Sequence, residues 1–299
     1  MDPGLTDLAA LIDRQWQRHG RETPIEGLHL TRTEAPSGPI HSIYRPSFIL
    51  VAQGAKATVL GARTFRYEAG RCLISAIDVP VAARITEASA ARPYLALALA
   101  IEPAMIAELA VAEAAGLAQQ PAFAALAVAD LDPALYDPLA RLLALLDTPH
   151  DRAVIEPLIR REIVWRLLGG ALGPMLRQVG LVNGHAARIA RATAWIRAHY
   201  AEPLRVADLA AQVHMSVPTF HRHFKAVTTM TPVGFQKQVR LQEARRRLLA
   251  AESVARVGHA IGYESLSQFN RDYRRLFGAP PGRDGAAIRA RLVAEPALP

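Results

Sequence analysis

The sequence predicts an α+β chain of two domains: an antiparallel β-barrel or sandwich with flanking helices, followed by an all-α domain. Three observations support this fold class. Residues 40–101 contain short β-rich runs, whereas helical spacing of apolar residues begins at Pro103. From Ala186 to Phe277 one helical pattern follows another. Positive charge, finally, is concentrated in the last third of the chain.

The composition limits the class of protein. A chain of 299 residues with 51% hydrophobic and 21% charged residues is long and apolar enough for two cores. Its acidic, amphipathic start does not resemble a signal peptide, and no uninterrupted apolar stretch is long enough to span a membrane. The single cysteine, Cys72, excludes an intrachain disulfide and fits a reducing compartment. We therefore expect a cytoplasmic protein with no membrane partner.

Six short runs make up the predicted β-domain. Gly54, Gly61 and Gly70 separate several of them, and their regular spacing is typical of an antiparallel sandwich or small barrel. The runs are SFILVAQG, AKATVLG, RTFRYEAG, RCLISA, VAARITEA and YLALALAI.

Two apolar stripes at helical spacing follow, and interdomain packing or a dimer surface would explain them equally well. The segment 169–184 collects glycines and one proline, which indicates a domain boundary. We predict a first domain over residues 1–180 and a second over residues 181–299. The stripes are Leu139, Leu142, Leu143 and Leu146, and Ile155, Leu158, Ile159, Ile163 and Leu167.

The charge differs between the two predicted domains. Residues 1–180 hold 17 basic and 19 acidic side chains, whereas residues 181–299 hold 18 basic and 8 acidic ones. Such an excess attracts a polyanion, although a solvated basic face would also account for it.

A ten-residue pattern occurs twice in the basic part, as SVPTFHRHFK from Ser216 and SLSQFNRDYR from Ser265. Each copy has apolar residues at i, i+4 and i+7 and polar residues on the opposite side. Both serines are well placed to cap a helix. The aromatic residues of the copies could stack on bases, but their spacing favours the inward side. These residues are Phe220, Phe224, Phe269, Tyr273 and Phe277.

A short helical pattern precedes each copy and carries a small residue, Ala210 or Gly258, that lets two helices approach closely. Helix, tight turn and amphipathic helix form the helix-turn-helix pattern, over about residues 206–227 and 254–277. One copy alone is a weak signal, because any corner between two helices can imitate it. Two copies in matching register within a basic region are specific.

One long helix is predicted between the copies, over Pro232–Ala250. Its 19 residues correspond to ~28 Å at ~1.5 Å per residue. Successive major grooves on one side of B-DNA lie ~34 Å apart. A rigid spacer of this length, with the widths of the motifs added, would place two recognition helices in adjacent grooves.

These motifs resemble the AraC/XylS family of bacterial transcription regulators. The resemblance is carried by DLAAQVHMSVPTFHRHFK, TPVGFQKQVRLQEARRRLL and AIGYESLSQFNRDYRRLFGAPP. The stretch RPSFILVAQGAK, with YEAG, DVPVAARITEAS and PYLALAL after it, is similar to the cupin-like effector domain of one subgroup. The resemblance covers most of the chain.

The resemblance implies a sequence-specific transcription regulator controlled by a small-molecule effector. The first domain would bind the effector and dimerise, and the second would bind double-stranded DNA. A homodimer is expected on family grounds, and RNA polymerase is left open as a further partner.

Matching positions give the residues that the resemblance assigns to DNA. Two departures concern Pro218 and Leu266, which stand where relatives often carry polar or aromatic readers. A third is GRDG after APP, where many relatives have a Tyr-Arg pair. The implied base-reading residues are Pro218, Thr219, His221 and Arg222 in the first helix and Leu266, Ser267, Asn270 and Arg271 in the second.

Side-chain chemistry refines these roles. An arginine such as Arg222 or Arg271 can donate two hydrogen bonds to guanine, and Asn270 suits adenine. Each arginine could instead form a surface salt bridge or a phosphate contact without reading a base. The expected phosphate contacts are Lys225, Arg274 and Arg275.

The different-class alternative is an enzyme or binding protein whose helical part docks a partner. Catalytic metal sites in such barrels need converging histidines and a carboxylate, but His19, His29, His41 and His150 are widely spaced in the sequence. No nucleophile has a recognisable activating motif either. We therefore expect no enzyme activity, catalytic residue, metal or cofactor, and an apolar pocket for the effector.

Cys72 is the one chemically unusual residue of the predicted β-domain. In a buried strand a cysteine packs as a small hydrophobic residue. The alternative is a thiol sensor, helped by the neighbouring Arg71.

Overall fold

The computed structural model describes residues 2–111, 123–180, 184–250 and 252–294. Residues 181–183, where the predicted boundary between domains falls, lie outside the described residues. Within the described ranges, no helix is long and apolar enough to cross a membrane.

Nine strands in the described part form two antiparallel sheets, which confirms the predicted class of the first domain. The five-stranded sheet has the order β1-β8-β3-β6-β9 and the four-stranded sheet the order β2-β7-β4-β5. The strands are β1 Leu28–Thr33, β2 Ile40–Tyr44, β3 Ser47–Gln53, β4 Ala55–Leu60, β5 Arg63–Glu68, β6 Arg71–Ser75, β7 Val79–Glu87, β8 Tyr94–Ala100 and β9 Leu126–Asp130.

Two edge strands lie outside the predicted β-region, and the expectation of helix from Pro103 onward is wrong at β9. Leu126–Asp130 pairs antiparallel with β6, so that Leu73 lies opposite Val128. Five residues are too few to show a decisive period in the sequence. Pairing with the exposed edge of β6 therefore decides their conformation.

The helices flank the sheets and then make up the whole C-terminal part of the described chain. Two short 3₁₀ turns, Pro133–Leu135 and Leu145–Asp147, adjoin α3. The helices are α1 Pro3–His19, α2 Pro103–Val111, α3 Tyr136–Ala144, α4 Arg152–Gly169, α5 Gly173–Gly180, α6 His185–Ala198, α7 Val206–Gln212, α8 Val217–Thr228, α9 Pro232–Leu249, α10 Val254–Ala260, α11 Leu266–Phe277 and α12 Pro281–Ala294.

The two apolar stripes have different environments. The stripe of α3 and the turn after it is fully inside, with Leu139 and Leu142 at 0% exposure. In α4 only part of the stripe is buried: Ile163 is at 0%, but Leu158 is 61% exposed. Packing therefore explains the first stripe completely and the second only in part.

Buried apolar side chains are contiguous from the sheets into the first helix-turn-helix region, as far as Phe235 and Val239 of α9. The second region has its own smaller core. Both cores include residues of α9, so this helix joins them. The smaller core consists of Leu241, Ala244, Leu248, Val257, Ile261, Tyr263, Phe269 and Tyr273.

The close approach of α10 to α11 requires a small side chain at Gly258. A Cβ added there would lie 2.8 Å from Leu266 Cδ2 and 3.1 Å from Phe269 Cδ1. The corresponding residue of the first region, Ala210, is fully buried. The predicted role of the small residues in helix packing is thus confirmed.

Gly258→Leu is expected to destabilise the protein by about 1–3 kcal/mol, because overpacking outweighs the gain in helix propensity of about 1 kcal/mol. Urea unfolding measures the change. Gly169→Leu is the matched control, since apart from its own helix backbone and chain neighbours no described atom lies within 4 Å of a Cβ there. Equal midpoints for the two variants would contradict the close contact.

Candidate nucleic-acid interface

The first helix-turn-helix unit consists of α7 and α8. The turn between them includes His214 at a positive φ of 55°, and the Met215 N–H donates to the Ala210 carbonyl at 2.9 Å. Ser216 is the N-cap of α8, because its hydroxyl accepts a hydrogen bond from the Thr219 N–H at 3.4 Å. The predicted cap is confirmed.

The second unit consists of α10 and α11. Ser265 caps α11 by accepting a hydrogen bond from the Gln268 N–H at 3.4 Å, which confirms the second predicted cap. The turn contains Gly262 at φ 86°. A Cβ there would lie 2.0 Å from the Ala201 carbonyl oxygen, so the position admits only glycine. The turn of the second unit, residues 261–265, is one residue longer than that of the first, residues 213–216.

The shared aromatic residues lie on the inner side of each unit. Phe220, Phe224, Phe269 and Tyr273 are fully buried, and Phe224 packs edge-on against Phe235 of α9 with ring centroids 5.5 Å apart. Core packing, rather than base stacking, is therefore their role in the structure.

Most of the predicted base-reading side chains lie on the open sides of α8 and α11. Leu266 and Thr219 differ, since both are half-buried. Leu266 packs over Gly258, and the Thr219 hydroxyl accepts a hydrogen bond from the Ser216 hydroxyl at 2.9 Å. The exposed residues are Pro218, His221, Arg222, Ser267, Asn270 and Arg271.

The basic side chains of the two helices share a further property. All of them are exposed, and within the described residues none forms an ion pair or a side-chain hydrogen bond. Their positive charge is thus available to an external anion. These side chains are Arg222, Lys225, Arg271, Arg274 and Arg275.

The arginines of α9 are used inside the protein instead. Arg240 donates to the Tyr200 carbonyl at 2.6 Å and to the Gly262 carbonyl at 2.8 Å. Arg246 and Arg247 both bind the Glu243 carboxylate, at 2.7 and 3.0 Å. Arg240 therefore ties the spacer to its surroundings, whereas the ion pairs of Arg246 and Arg247 with Glu243 lie within α9 itself.

Asp284 connects three helices, a role that sequence reasoning missed. Its carboxylate accepts hydrogen bonds from Arg245 of α9 at 2.9 Å and from the Tyr273 hydroxyl of α11 at 2.8 Å. Burial, and then the hydrogen bond to Asp284, raise the pKa of Tyr273. The residue lies in GRDG, where the sequence departs from the family pattern. In the sequence, this role is indicated by the position of Asp284 as an isolated acidic residue in a basic segment.

The β-domain contacts the carboxyl end of α8. Thr229 ends this helix at φ 63°, and its hydroxyl donates to the Leu60 carbonyl of β4 at 3.1 Å. A Cβ on Gly61, which has φ +56°, would lie only 2.1 Å from that hydroxyl oxygen. The Ala125 N–H also donates to the Val227 carbonyl at 3.3 Å. The β-domain thus fixes the first recognition helix at the end away from its N-cap.

The β-domain also contacts the second unit and the spacer. The His41 ring of β2 packs edge-on against Phe277 of α11 at 4.8 Å between centroids. Gln242 of α9 donates to the Val81 carbonyl of β7 at 3.3 Å. Asp78, which is 7% exposed, binds Arg197 of α6 at 2.9 Å. No local pattern in the sequence could reveal these long-range contacts.

The remaining reactive groups are arranged as follows. Cys72 is buried at 2% exposure, and burial raises the pKa of its thiol to about 11, which opposes a reactive thiolate at neutral pH. Its Sγ lies 3.5 Å from the Ala129 carbonyl oxygen. In the described ranges, no group of three or more His, Cys, Asp and Glu residues is placed to hold a metal ion.

This architecture defines a class: two-domain proteins in which an antiparallel β-domain precedes two helix-turn-helix units. The family description "AraC-type transcriptional regulator N-terminus" matches residues 24–175, and "Helix-turn-helix domain" matches residues 209–284. The chain belongs to the AraC-type transcriptional regulators.

Curated relatives match parts of the chain. The HTH-type transcriptional activator RhaS of Pectobacterium atrosepticum is 34% identical over 88 residues, which are 29% of this chain and 32% of that protein. RhaS of Escherichia coli O1:K1 / APEC is 29% identical over 151 residues, 48% of this chain and 54% of that protein. The chain therefore spans about a third to a half of the length of these relatives.

Solved structures with the same fold include ToxT of Vibrio cholerae. ToxT from strain O395 bound to (E)-4-(8-methylnaphthalen-1-yl)but-3-enoic acid has a TM-score of 0.56 and 8% identity, and covers 86% of this chain and 97% of its own. Unsaturated fatty acid bound ToxT from strain SCE256 has a TM-score of 0.54 and 8% identity, covering 86% and 94%. At this identity the likeness concerns the fold.

The contact of His41 with the second unit predicts a pH dependence. Burial, with Arg245 adding to it and Asp284 opposing it, lowers the pKa of His41 from 6.5 to about 4. As the pH falls from 6.5 towards 4, the unfolded chain binds this proton before the folded chain does, so folding stability decreases. We expect His41→Gln to lose less stability than the wild type between pH 7 and pH 5.

Urea midpoints at the two pH values measure this difference. His150→Gln is the matched control, because the His150 side chain is 91% exposed. If His41→Gln and His150→Gln have the same pH dependence, His41 is not titrating at this contact.

Proposed function

We propose that the chain is a sequence-specific regulator that inserts α8 and α11 into adjacent major grooves of double-stranded DNA. One observation carries the proposal. Basic side chains on both recognition helices have no partner among the described residues, whereas Arg240, Arg246 and Arg247 of the spacer are bound internally. This contrast argues against the salt-bridge alternative for the recognition helices and favours contact with DNA.

The spacer supports the placement in two grooves. Helix α9 has 18 residues, which gives ~27 Å at ~1.5 Å per residue. Half-sites read from one face of B-DNA lie ~34–36 Å apart. The widths of the two units that α9 joins supply the remaining distance.

In this proposal the exposed sides of the helices read bases and phosphates. Arg222 and Arg271 bind guanine, and Asn270 binds adenine. Pro218, Thr219, His221 and Ser267 face the same groove, while the contact of Leu266 with Gly258 supports a packing role. The phosphate contacts are Lys225, Arg274 and Arg275.

The β-domain is proposed as the effector-binding part, with a boundary between residues 180 and 181. ToxT, which shares the fold, is bound to an organic acid in one solved structure and to an unsaturated fatty acid in another. These observations support small-molecule control here without naming the molecule. A regulator of this kind acts on the chromosome, so we place it in the cytoplasm. Contact with RNA polymerase belongs to the proposal, with no surface assigned to it.

A homodimer through α4 is also proposed, because one face of this helix exposes large apolar side chains. Val154 is 67% exposed, Leu158 61% and Trp165 44%. The positions 154, 158 and 165 share one side of a helix. Exposed apolar residues gathered in this way are typical of protein interfaces.

Arg271→Ala is expected to weaken binding to the best DNA site, selected from a random library, by about 1–3 kcal/mol and to relax the preference at one base pair. Arg274→Ala is the matched control and should weaken all sequences alike, with a salt slope lower by about one unit. Gel shifts at several salt concentrations measure both effects. A uniform loss for Arg271→Ala would reassign it to phosphate, and no selected site for the wild type would refute the function.

Leu158→Asp is expected to shift the protein from dimer to monomer, because the interface would bury an unpaired charge. Light scattering after size exclusion measures the mass. Val233→Asp likewise introduces an aspartate at an exposed apolar position, 56% exposed on α9, and should keep the mass of the wild type. A monomeric wild type, or a dimeric Leu158→Asp variant, would exclude this interface.

A further inference from the structure

A lysine lies on the inner face of the four-stranded sheet. Lys56 belongs to β4, where it shares one face with Thr58 and Leu60, at 0% and 1% exposure. Its cross-strand neighbours are Tyr67 and Ile85, which are both buried. Within the described residues no carboxylate forms an ion pair with Lys56. A partly buried ammonium without an anionic partner is unfavourable for a core and requires an explanation.

Phenol groups surround this ammonium. The Lys56 Nζ lies 5.5 Å from the centroid of the Tyr44 ring. The Thr58 hydroxyl is 3.0 Å from the Tyr67 hydroxyl and 3.5 Å from that of Tyr44. Tyr94 approaches from the facing sheet at 1% exposure, and its hydroxyl has no hydrogen-bond partner in the part of the chain that the structure describes. Among the described residues, the cluster thus contains one cation that no carboxylate pairs and one buried donor, the Tyr94 hydroxyl, that has no acceptor.

The protonation of these groups fits an anion. Burial raises the pKa of Tyr94 to about 12, so its hydroxyl remains a donor at neutral pH. Burial by itself lowers the pKa of Lys56, whereas negative charge on Tyr44 and Tyr67 and a hydrogen bond with Tyr44 raise it above the ordinary value. A negative group beside Lys56 therefore favours the charged amine. Against the upward effect of burial, the same ammonium lowers the pKa of Tyr44. The Lys56 ammonium thus favours negative charge on the group beside it.

We propose that Lys56 and Tyr94 bind the carboxylate of a small organic acid, which would be the effector. The Lys56 ammonium is its counterion, and the Tyr94 hydroxyl donates a hydrogen bond to it. One positive charge matches one carboxylate, whereas a phosphate dianion would leave negative charge unpaired. The neighbouring core, with Leu60 and Ile85, suits an apolar remainder of the ligand. The identification as effector rests on the proposed regulatory function.

The location connects this site to the helical domain. Helix α8 is held at its carboxyl end by the Leu60 carbonyl, four residues along β4 from Lys56. The same strand pairs with β7, whose Val81 carbonyl accepts a hydrogen bond from α9. A ligand that shifts β4 thus acts on elements that carry both recognition helices.

Thermal shift of the full chain tests the site with a panel of aliphatic and aromatic monocarboxylates, from acetate to dodecanoate, each paired with its neutral primary amide. At least one acid should raise the Tm by about 3 °C or more at saturation, and its amide should not. Lys56→Met should abolish this shift, and Tyr94→Phe should weaken the Kd about tenfold. Arg66→Met, which removes an exposed cation from β5 of the same sheet, should respond like the wild type.

The variants remain informative about folding. Lys56→Met removes a partly buried charge that no carboxylate pairs, so its own Tm should equal or exceed that of the wild type. An acid response that survives in Lys56→Met, equal responses to acid and amide, or no response across the panel would overturn the inference. DNA binding by the wild type is measured separately. If the wild type binds DNA but responds to no acid, this site alone is refuted. If it binds an acid but no DNA, the regulatory function is refuted.

Discussion

The position of both recognition helices depends on the packing of a single helix. Helix α9 contributes Phe235 to the core of the first unit and Leu241, Ala244 and Leu248 to that of the second. It also lies against β2 and β7 of the β-domain. A displacement of α9 relative to the sheets would therefore move both units together. Because one helix belongs to two cores, the arrangement of the other C-terminal helices depends on the position of α9.

Two groups of basic side chains show how the protein uses its positive charge. On α9, arginines bind carboxylates and carbonyls, and the buried Asp284 takes Arg245 and Tyr273 as partners. On α8 and α11 the basic side chains face solvent, where hydration keeps them charged at little cost. Net charge alone could not separate these groups, because an arginine that stabilises the fold and one that faces a ligand contribute the same unit.

The β-domain supports the helices, and its apolar core also contains a cluster of polar side chains. Its contacts to Thr229 and Phe277 fall at the carboxyl ends of the two recognition helices, so it leaves their exposed sides open. Lys56 and Tyr94 lie beside the hydroxyls of Tyr44, Thr58 and Tyr67 in a domain whose core is otherwise mostly apolar. In such surroundings an unmatched charge interacts strongly with any anion that enters, because little water screens it.

The sequence by itself determined the features that repeat over a few residues. Helical spacing placed Phe220 and Phe269 inside, the serines at Ser216 and Ser265 marked two helix starts, and glycine-separated runs indicated the sheets. The strand Leu126–Asp130, the partners of Asp284 and the environment of Lys56 were decided only by the tertiary structure. The reason is physical: periodicity reports which side of an element is apolar, whereas strand pairing and ion pairs join residues far apart in the chain.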